Sequence, residues 1–298
     1  MKNQLKYIEY VAEYAKDNKL VEKLDEKKLE NNRFDCKLIA IGRTADIYDL
    51  GNGKVFKHFH EDKPDRCIDN EIECTSSIAA IRLGAPKIYG RVNDKRGRGI
   101  IMEYVVGQSM LDIMIQEGDG FHIEKNAEIL ANLQCKVSSF EGGMFPKGHE
   151  VMRERISRVS ALDEDTKCKL IKLLESLPQG NSVCHTDIHP GNIIITEEGF
   201  RVIDWCDTMC DSPWLDVAST LLIFESVAEI PGLDSGDLNR SRCAWKKHYR
   251  AVYENLVGKS DEELEGWMAI LAAVKLEKED PINHPWMLEL IRRGVCKV

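Results

Sequence analysis

The stretch Cys184 to Trp205, CHTDIHPGNIIITEEGFRVIDW, constrains the chain more than any other part of it. Two histidines, an aspartate and an asparagine crowd between His185 and Asn192, and an apolar run, Ile193 to Ile195, follows at once. Polar groups set against a buried strand cost free energy unless each is paired or binds something. IIIT and FRVIDW read as the two strands of a tight hairpin turned at Glu197–Gly199. Antiparallel pairing brings the start of the first strand beside the end of the second. Asn192 precedes the first strand and Asp204 ends the second, so both fall at the mouth away from the turn. Asp187 lies on the loop that feeds the same end. Two carboxylates and an amide oxygen converging in this way suit Mg2+, which takes oxygen ligands and keeps positions open for water and phosphate. Any one of these residues alone reads as a turn cap. The joint spacing, D-x-x-x-x-N and then a hairpin ending in I-D-W, carries the functional reading.

The loop resembles the catalytic loop of the protein-kinase-like superfamily, H-x-D-x-x-x-x-N. With H-P-G-N-I-I and V-I-D-W around it, the pattern is similar to the aminoglycoside phosphotransferase and choline kinase branch. The resemblance implies that Asp187 is the catalytic base, that Asn192 and Asp204 hold Mg2+, and that His185 and His189 fix the loop. A phosphoryl donor also needs a strand lysine oriented by a helix carboxylate. KVFKHF offers Lys57, and the next helix offers Glu71 and Glu73, with Glu71 preferred from its distance to the GAP stop. IIMEYVVG looks like a hinge. There the base of ATP, or of GTP, would meet the Glu103 carbonyl and the Val105 N–H, with Met102 lining the pocket. The side chains of Glu103 and Tyr104 are then dispensable. AEILANLQCKV and DSPWLDVASTLL resemble two further segments of the branch. The departures are a phosphate loop reduced to Gly42, and Thr186, Gln134 and Cys210 at positions usually Gly, His and Gly. Thr186 either narrows the acceptor site or packs.

The rest of the chain fits a two-lobed α+β protein of protein-kinase-like fold. Residues 1–33 form a helical extension, 34–105 a β-rich nucleotide-binding lobe, and 106–298 a mostly helical lobe with the catalytic loop and acceptor-binding helices. The Gly-Asn-Gly at 51–53 predicts a hairpin. Helices are predicted over about 108–117, 123–140, 149–160, 163–177 and through 213–298. A net charge of −9 and a pI near 5.5 argue against nucleic acid or an anionic membrane as partner. No apolar run approaches a membrane span. Ten scattered cysteines with no secretion signal read as reduced cytoplasmic thiols. Cys184, His185, His189, Cys206 and Cys210 do not match zinc-site spacings. KKHYR at 246–250 reads as a solvated helix face. The tryptophans read as core, except Trp205, which follows Asp204 at the site mouth. Asp211, Glu225, Glu229, Asp234 and Asp237 suit either a cationic acceptor or plain solubility.

These residues predict a small-molecule kinase that transfers the γ-phosphoryl of ATP or GTP to a hydroxyl of a small acceptor. The alternatives are a non-catalytic nucleotide-binding protein of the same fold, a protein kinase, and a metal-dependent hydrolase using His185, Asp187 and His189, which needs a further ligand. The second lacks D-F-G, A-P-E and room for an activation loop.

Overall fold

A computed structural model describes residues 36–42, 44–94, 97–118, 122–225, 235–276 and 283–297. The helix predicted over residues 3–30 lies outside them. The first described part is an antiparallel five-stranded sheet: β1 (Lys37–Ile41), β2 (Ala45–Gly51), β3 (Lys54–Phe59), β4 (Ile88–Asp94) and β5 (Gly97–Glu103), in the order β1-β2-β3-β5-β4. The β2–β3 turn holds Gly51, Asn52 and Gly53 at φ of 73°, 53° and 69°. Three left-handed residues in a row are why glycine and asparagine stand there.

Helix α1 (Asp65–Ala80) crosses from β3 to β4. It buries Ile68, Glu71, Cys74, Thr75 and Ile78, a helical stripe facing the body. Ile68 and Ile78 are fully buried, and each such side chain contributes roughly 1.5–3 kcal/mol. A carboxylate in that stripe breaks the pattern and marks a function. Ala45, Val55, Phe59, Ile68, Ile100 and Met102 form the small core against the sheet.

Beyond β5 the chain is mostly helical: α2 (Met110–Glu117), α3 (Ile123–Ser138), α4 (Gly148–Arg158), α5 (Glu164–Ser176), α6 (Pro213–Glu225), α7 (Ser235–Val257), α8 (Asp261–Lys275) and α9 (His284–Val295). Ser109 and Asp112 close a capping box at the start of α2, and Asp163 caps α5. The predicted hairpin is β8 (Ile193–Thr196) and β9 (Gly199–Val202), flanked by β6 (Gln108–Ser109). A separate pair joins β7 (Ser182–Cys184) to β10 (Met209–Asp211). Helix α6 is buried on nearly every face, from Trp214 to Phe224. A helix so enclosed is the centre of the large core. Among the described residues no helix is long and apolar enough to cross a membrane. All ten cysteines are free thiols.

Candidate active site

Lys57 points from β3 onto α1 and the loop after β9. Its Nζ lies 2.6 Å from Glu71 Oε1 and 3.1 Å from Asp204 Oδ1. Glu71 is chosen over Glu73 by helix phase: Glu71 is buried in the α1 stripe and Glu73 is exposed. One ammonium serves two carboxylates and cannot neutralise both. Burial pushes the Glu71 carboxyl up to about 7, with Lys57 pulling against it and Asp204 adding to it. Asp204 is held below the usual carboxylate range: burial works upward, and the Lys57 charge outweighs it. For Lys57 itself, burial works downward and the two carboxylates raise it further. Asp204 is not in the strand, as the sequence places it. Strand β9 stops at Val202, and Asp204 has turned into the left-handed region at φ 67°.

The loop from His185 to Asn192 is held partly by its own polar groups and partly by the elements around it. His185 donates from Nε2 to the Ile203 carbonyl at 3.0 Å, and its Nδ1 accepts the Asp187 amide at 3.3 Å. His189 Nδ1 accepts the Gly191 amide at 3.0 Å, which leaves the proton on Nε2, 3.8 Å from Asp187 Oδ2. Burial lowers the His189 pKa, with Asp187 opposing, so the ring is neutral. Asn192 donates its side-chain nitrogen to the Asp187 carbonyl at 3.0 Å and to Asp187 Oδ2 at 3.4 Å. Its amide oxygen is thereby kept for another donor or a cation. The Asn192 carbonyl accepts the Ile203 amide at 3.0 Å, so the loop and the end of the hairpin are one unit. Trp205 is a correction: it is fully buried, donates to the Val202 carbonyl at 2.9 Å and packs on the His185 ring. An apolar wall under the loop, not the mouth, is its place.

Helix α6 supplies groups to which the sequence assigns no role. Asp216, Ser219 and Thr220 share one helical face. Asp216 Oδ1 accepts the Thr186 amide at 2.6 Å, Ser219 Oγ donates to the Thr186 carbonyl, and Thr220 Oγ1 donates to the Ile188 carbonyl at 2.8 Å. The backbone is thus clamped on both sides of Asp187. Burial raises the Asp216 carboxyl above its ordinary range, with the His185 ring and the Thr186 amide opposing. Gln134 of α3 joins this set, donating to Thr220 Oγ1 at 3.3 Å and accepting from the Tyr249 hydroxyl. The signal was present in the sequence as three polar residues on one face of an otherwise apolar helix.

Gly42, the residue left of the expected phosphate loop, lies in the β1–β2 turn, where a Cβ would come within 2.8 Å of the Ala45 carbonyl oxygen. Met102 is buried beside Val55. Val105 lies between β5 and β6, just after the Tyr104 amide bonds the Gly53 carbonyl at 2.9 Å. Glu103 is not a bystander. Arg201 of β9 grips both its oxygens, at 3.2 and 3.1 Å, and also donates to the Gly84 carbonyl at 2.5 Å and the Ala85 carbonyl at 3.2 Å. The Lys87 amide donates to the Glu103 carboxylate at 2.9 Å, which leaves the Glu103 carbonyl out of that end of the β4–β5 ladder.

The acidic residues weighed for a cationic acceptor mostly serve otherwise. Asp211 is buried and holds His149 at 2.7 Å, and Glu225 pairs with Lys246 at 2.7 Å. Glu229, Asp234 and the side chain of Asp237 lie outside the described residues. In KKHYR, Tyr249 is fully buried, so the run is only partly a solvated face. Cys184 and Cys210 are buried, and each donates to an oxygen nearby. Among the described residues, Cys206 is the one of the five weighed for zinc that lies in a possible metal-ligand group, its sulfur within 4.8 Å of carboxylate oxygens of Glu71 and Asp204. Burial raises its thiol well above the ordinary range, and Lys57 already bridges those two carboxylates.

The profile of the phosphotransferase enzyme family (APH) matches residues 35–242. No curated protein matches the sequence. Among solved structures, an aminoglycoside-3'-phosphotransferase of type VIII is 17% identical with a TM-score of 0.57, over 84% of this chain and 98% of that one. Choline kinase LicA from Streptococcus pneumoniae is 14% identical with a TM-score of 0.51, over 93% and 99%. Aminoglycoside phosphotransferase APH(3'')-Id from Streptomyces rimosus, solved with ADP and streptomycin, is 15% identical with a TM-score of 0.52, over 86% and 98%. At such identities the structures establish the protein-kinase-like fold. The profile spans most of the chain and establishes more: the chain belongs to the phosphotransferase enzyme family.

Proposed function

We propose that the protein transfers the γ-phosphoryl group of ATP or GTP to a hydroxyl of a small acceptor. The observation that carries this reading is Lys57 bonded to both Glu71 and Asp204, in a member of this family. Residues 34–105 would bind the nucleotide, and 106–298 would present the catalytic loop and the acceptor. The base lies against the Glu103 carbonyl and the Val105 N–H, with Met102 beside it and Gly42 in the turn over the phosphates. Lys57, oriented by Glu71, binds the α- and β-phosphates. Asp187, with its carbonyl fixed by Asn192, accepts the proton of the acceptor hydroxyl as the new P–O bond forms, and the bond from the γ-phosphorus to the bridging oxygen breaks to release the nucleoside diphosphate. Asn192 and Asp204 are hard oxygen donors beside a cluster short of one positive charge, and they fit Mg2+. When bound there, the ion neutralises charge on the triphosphate. Ten unbridged cysteines support a reducing, cytoplasmic setting.

The test is consumption of Mg-ATP and Mg-GTP across a panel of aminoglycosides, choline, nucleosides and simple alcohols. Acceptor-dependent turnover is expected. Asp187→Asn should lower it by about 10²–10⁴-fold with nucleotide binding kept. Nucleotide binding without turnover on any acceptor would favour the non-catalytic reading, and phosphate found on protein substrates alone would favour a protein kinase.

A further inference from the structure

We infer that Thr186 is a positioning residue for phosphoryl transfer, tying the loop that carries Asp187 to the segment that follows Asp204 through its hydroxyl. The inference rests on the proposed kinase function for its kinetic part and on geometry for the tie itself.

Thr186 is buried and sits at φ 65°. The other residues besides glycine with positive φ among those described are Asn52, Arg82 and Asp204, so Thr186 is the β-branched one. A β-branched side chain in the left-handed region is a real outlier, and it persists only where its surroundings hold it there. All three polar groups of Thr186 are engaged. The amide donates to Asp216 Oδ1 at 2.6 Å, the carbonyl accepts from Ser219, and Oγ1 donates to the Asp207 carbonyl at 2.8 Å. Glycine would adopt this backbone without strain and keep the first two bonds. The third is what only a hydroxyl supplies, so the strain is tied to that bond.

The bond links two things the reaction needs together. Asp207 ends a short loop that begins at Asp204, and that loop closes through Thr208, whose amide and hydroxyl both donate to the Trp205 carbonyl. Its carboxylate is held by Arg155 of α4 at 2.7 Å. On the other side, Thr186 directly precedes Asp187. Without the side-chain tie, α6 still clamps the backbone at 186, but the segment after Asp204 loses its bond to the loop, and the placement of Asp187 against Asp204 is held less tightly. The hydroxyl is spent on the Asp207 carbonyl and is not left to meet an acceptor.

The experiment compares Thr186→Gly, Thr186→Ser and the parent in the full chain. It reads melting temperature, Mg-ATP turnover with water, kanamycin and choline as trial acceptors, and amide exchange over residues 205–208. For Thr186→Gly, the melting temperature should stay close to the parent's, because relieved strain offsets a lost hydrogen bond. Its kcat should fall about tenfold or more, since small misplacements of a reacting group are costly, while the KM for Mg-ATP stays within about twofold. Exchange over 205–208 should quicken. Thr186→Ser should restore most of the turnover and the protection. Parental kcat and parental exchange in Thr186→Gly would overturn the inference, and so would a serine variant as impaired as the glycine one. Absence of turnover by the parent on every acceptor counts against the kinase function alone. The exchange comparison then decides the tie by itself: equal exchange in the glycine and serine variants overturns it.

Discussion

Arg201 and Glu103 lie 98 positions apart in sequence and meet at the junction between the sheet and the helical part. Replacing Arg201 with alanine removes two bonds to the carboxylate and two to the carbonyls of Gly84 and Ala85. The side chains are 25% and 31% exposed, between the surface and buried cases. Exposed ion pairs contribute about 0–1 kcal/mol, and a buried hydrogen bond to a charged group about 1.5–3 kcal/mol. The freed carbonyls at this partly exposed site can turn to water. We therefore expect Arg201→Ala to cost about 2 kcal/mol. Glu103→Gln keeps the shape and the Lys87 bond and should cost about 1 kcal/mol, chiefly by losing the charge that makes the fork strong. The double variant should cost no more than Arg201→Ala alone, a coupling of about 1 kcal/mol. Urea unfolding of the four proteins measures it, and Mg-ATP affinity should weaken in step, since the proposed nucleotide site includes the Glu103 carbonyl. Costs that add to within about 0.3 kcal/mol would refute the latch and restore Glu103 as a dispensable side chain.

Other expectations follow from the same contacts. Both ring nitrogens of His149 face acceptors, Asp211 Oδ2 at 2.7 Å and the Leu177 carbonyl at 3.3 Å, so both carry protons. Burial pulls the His149 pKa down, but Asp211 more than offsets it and leaves it raised. Its stabilisation is therefore complete below the unfolded value of about 6.5 and is lost as pH rises through the folded one. Melting temperature should fall more steeply from pH 6.5 to 9 in the parent than in His149→Gln, and parallel curves would sink the idea. Lys57→Met leaves two carboxylates without their cation and should cost about 3 kcal/mol at pH 8. The cost should shrink at pH 6, where Glu71 takes up a proton, and adding Glu71→Gln should recover much of it in urea unfolding. An unchanged midpoint in Lys57→Met would show that the ammonium holds nothing. Asp204→Ala should abolish the gain in ATP affinity that Mg2+ brings, and calorimetry with and without the ion would show a retained gain if Asp204 is not a ligand.

Much of the fold was legible because it rests on local signals. Gly-Asn-Gly fixes one hairpin, the two strand-like runs around the short turn Glu197–Gly199 fix another, and helical periodicity placed α3 to α5 within a few residues of where they lie. Helix phase settles Glu71 against Glu73 in a way that distance to the GAP stop only suggests. Strands β6, β7 and β10 escaped because two or three residues are too few to show a period. Asp211 and Trp205 were misplaced for a common reason. An aspartate among acids looks solvated, and a tryptophan beside a polar residue looks exposed, until the partner that buries each is known. For Asp211 that partner is His149, and for Trp205 it is His185. Arg201 gave no signal at all, since nothing in the spacing of Arg201, Glu103 and Gly84 brings them together.

What separates this site from the remainder of the chain is the concentration of broken local rules. Thr186 and Asp204 occupy the left-handed region, Glu71 is a carboxylate in an apolar stripe, and Asp216 is a carboxylate inside the most enclosed helix. Each is costly alone, and each is compensated by a neighbour from this set or in contact with it. Lys57 answers Glu71 and Asp204, the Thr186 amide answers Asp216, and Asp216 with Ser219 holds Thr186 in its strained backbone. Such mutual support explains why the cluster survives in a stable protein, but not why it exists. Apolar residues at the same positions would pack without strain or unpaired charge. Sequences that are locally consistent elsewhere break their rules together where function demands it. Here the compensation is also incomplete. With one ammonium for two carboxylates, the contact group of Lys57, Glu71 and Asp204 stays one positive charge short. A cation arriving with its phosphates is the partner that such a deficit selects.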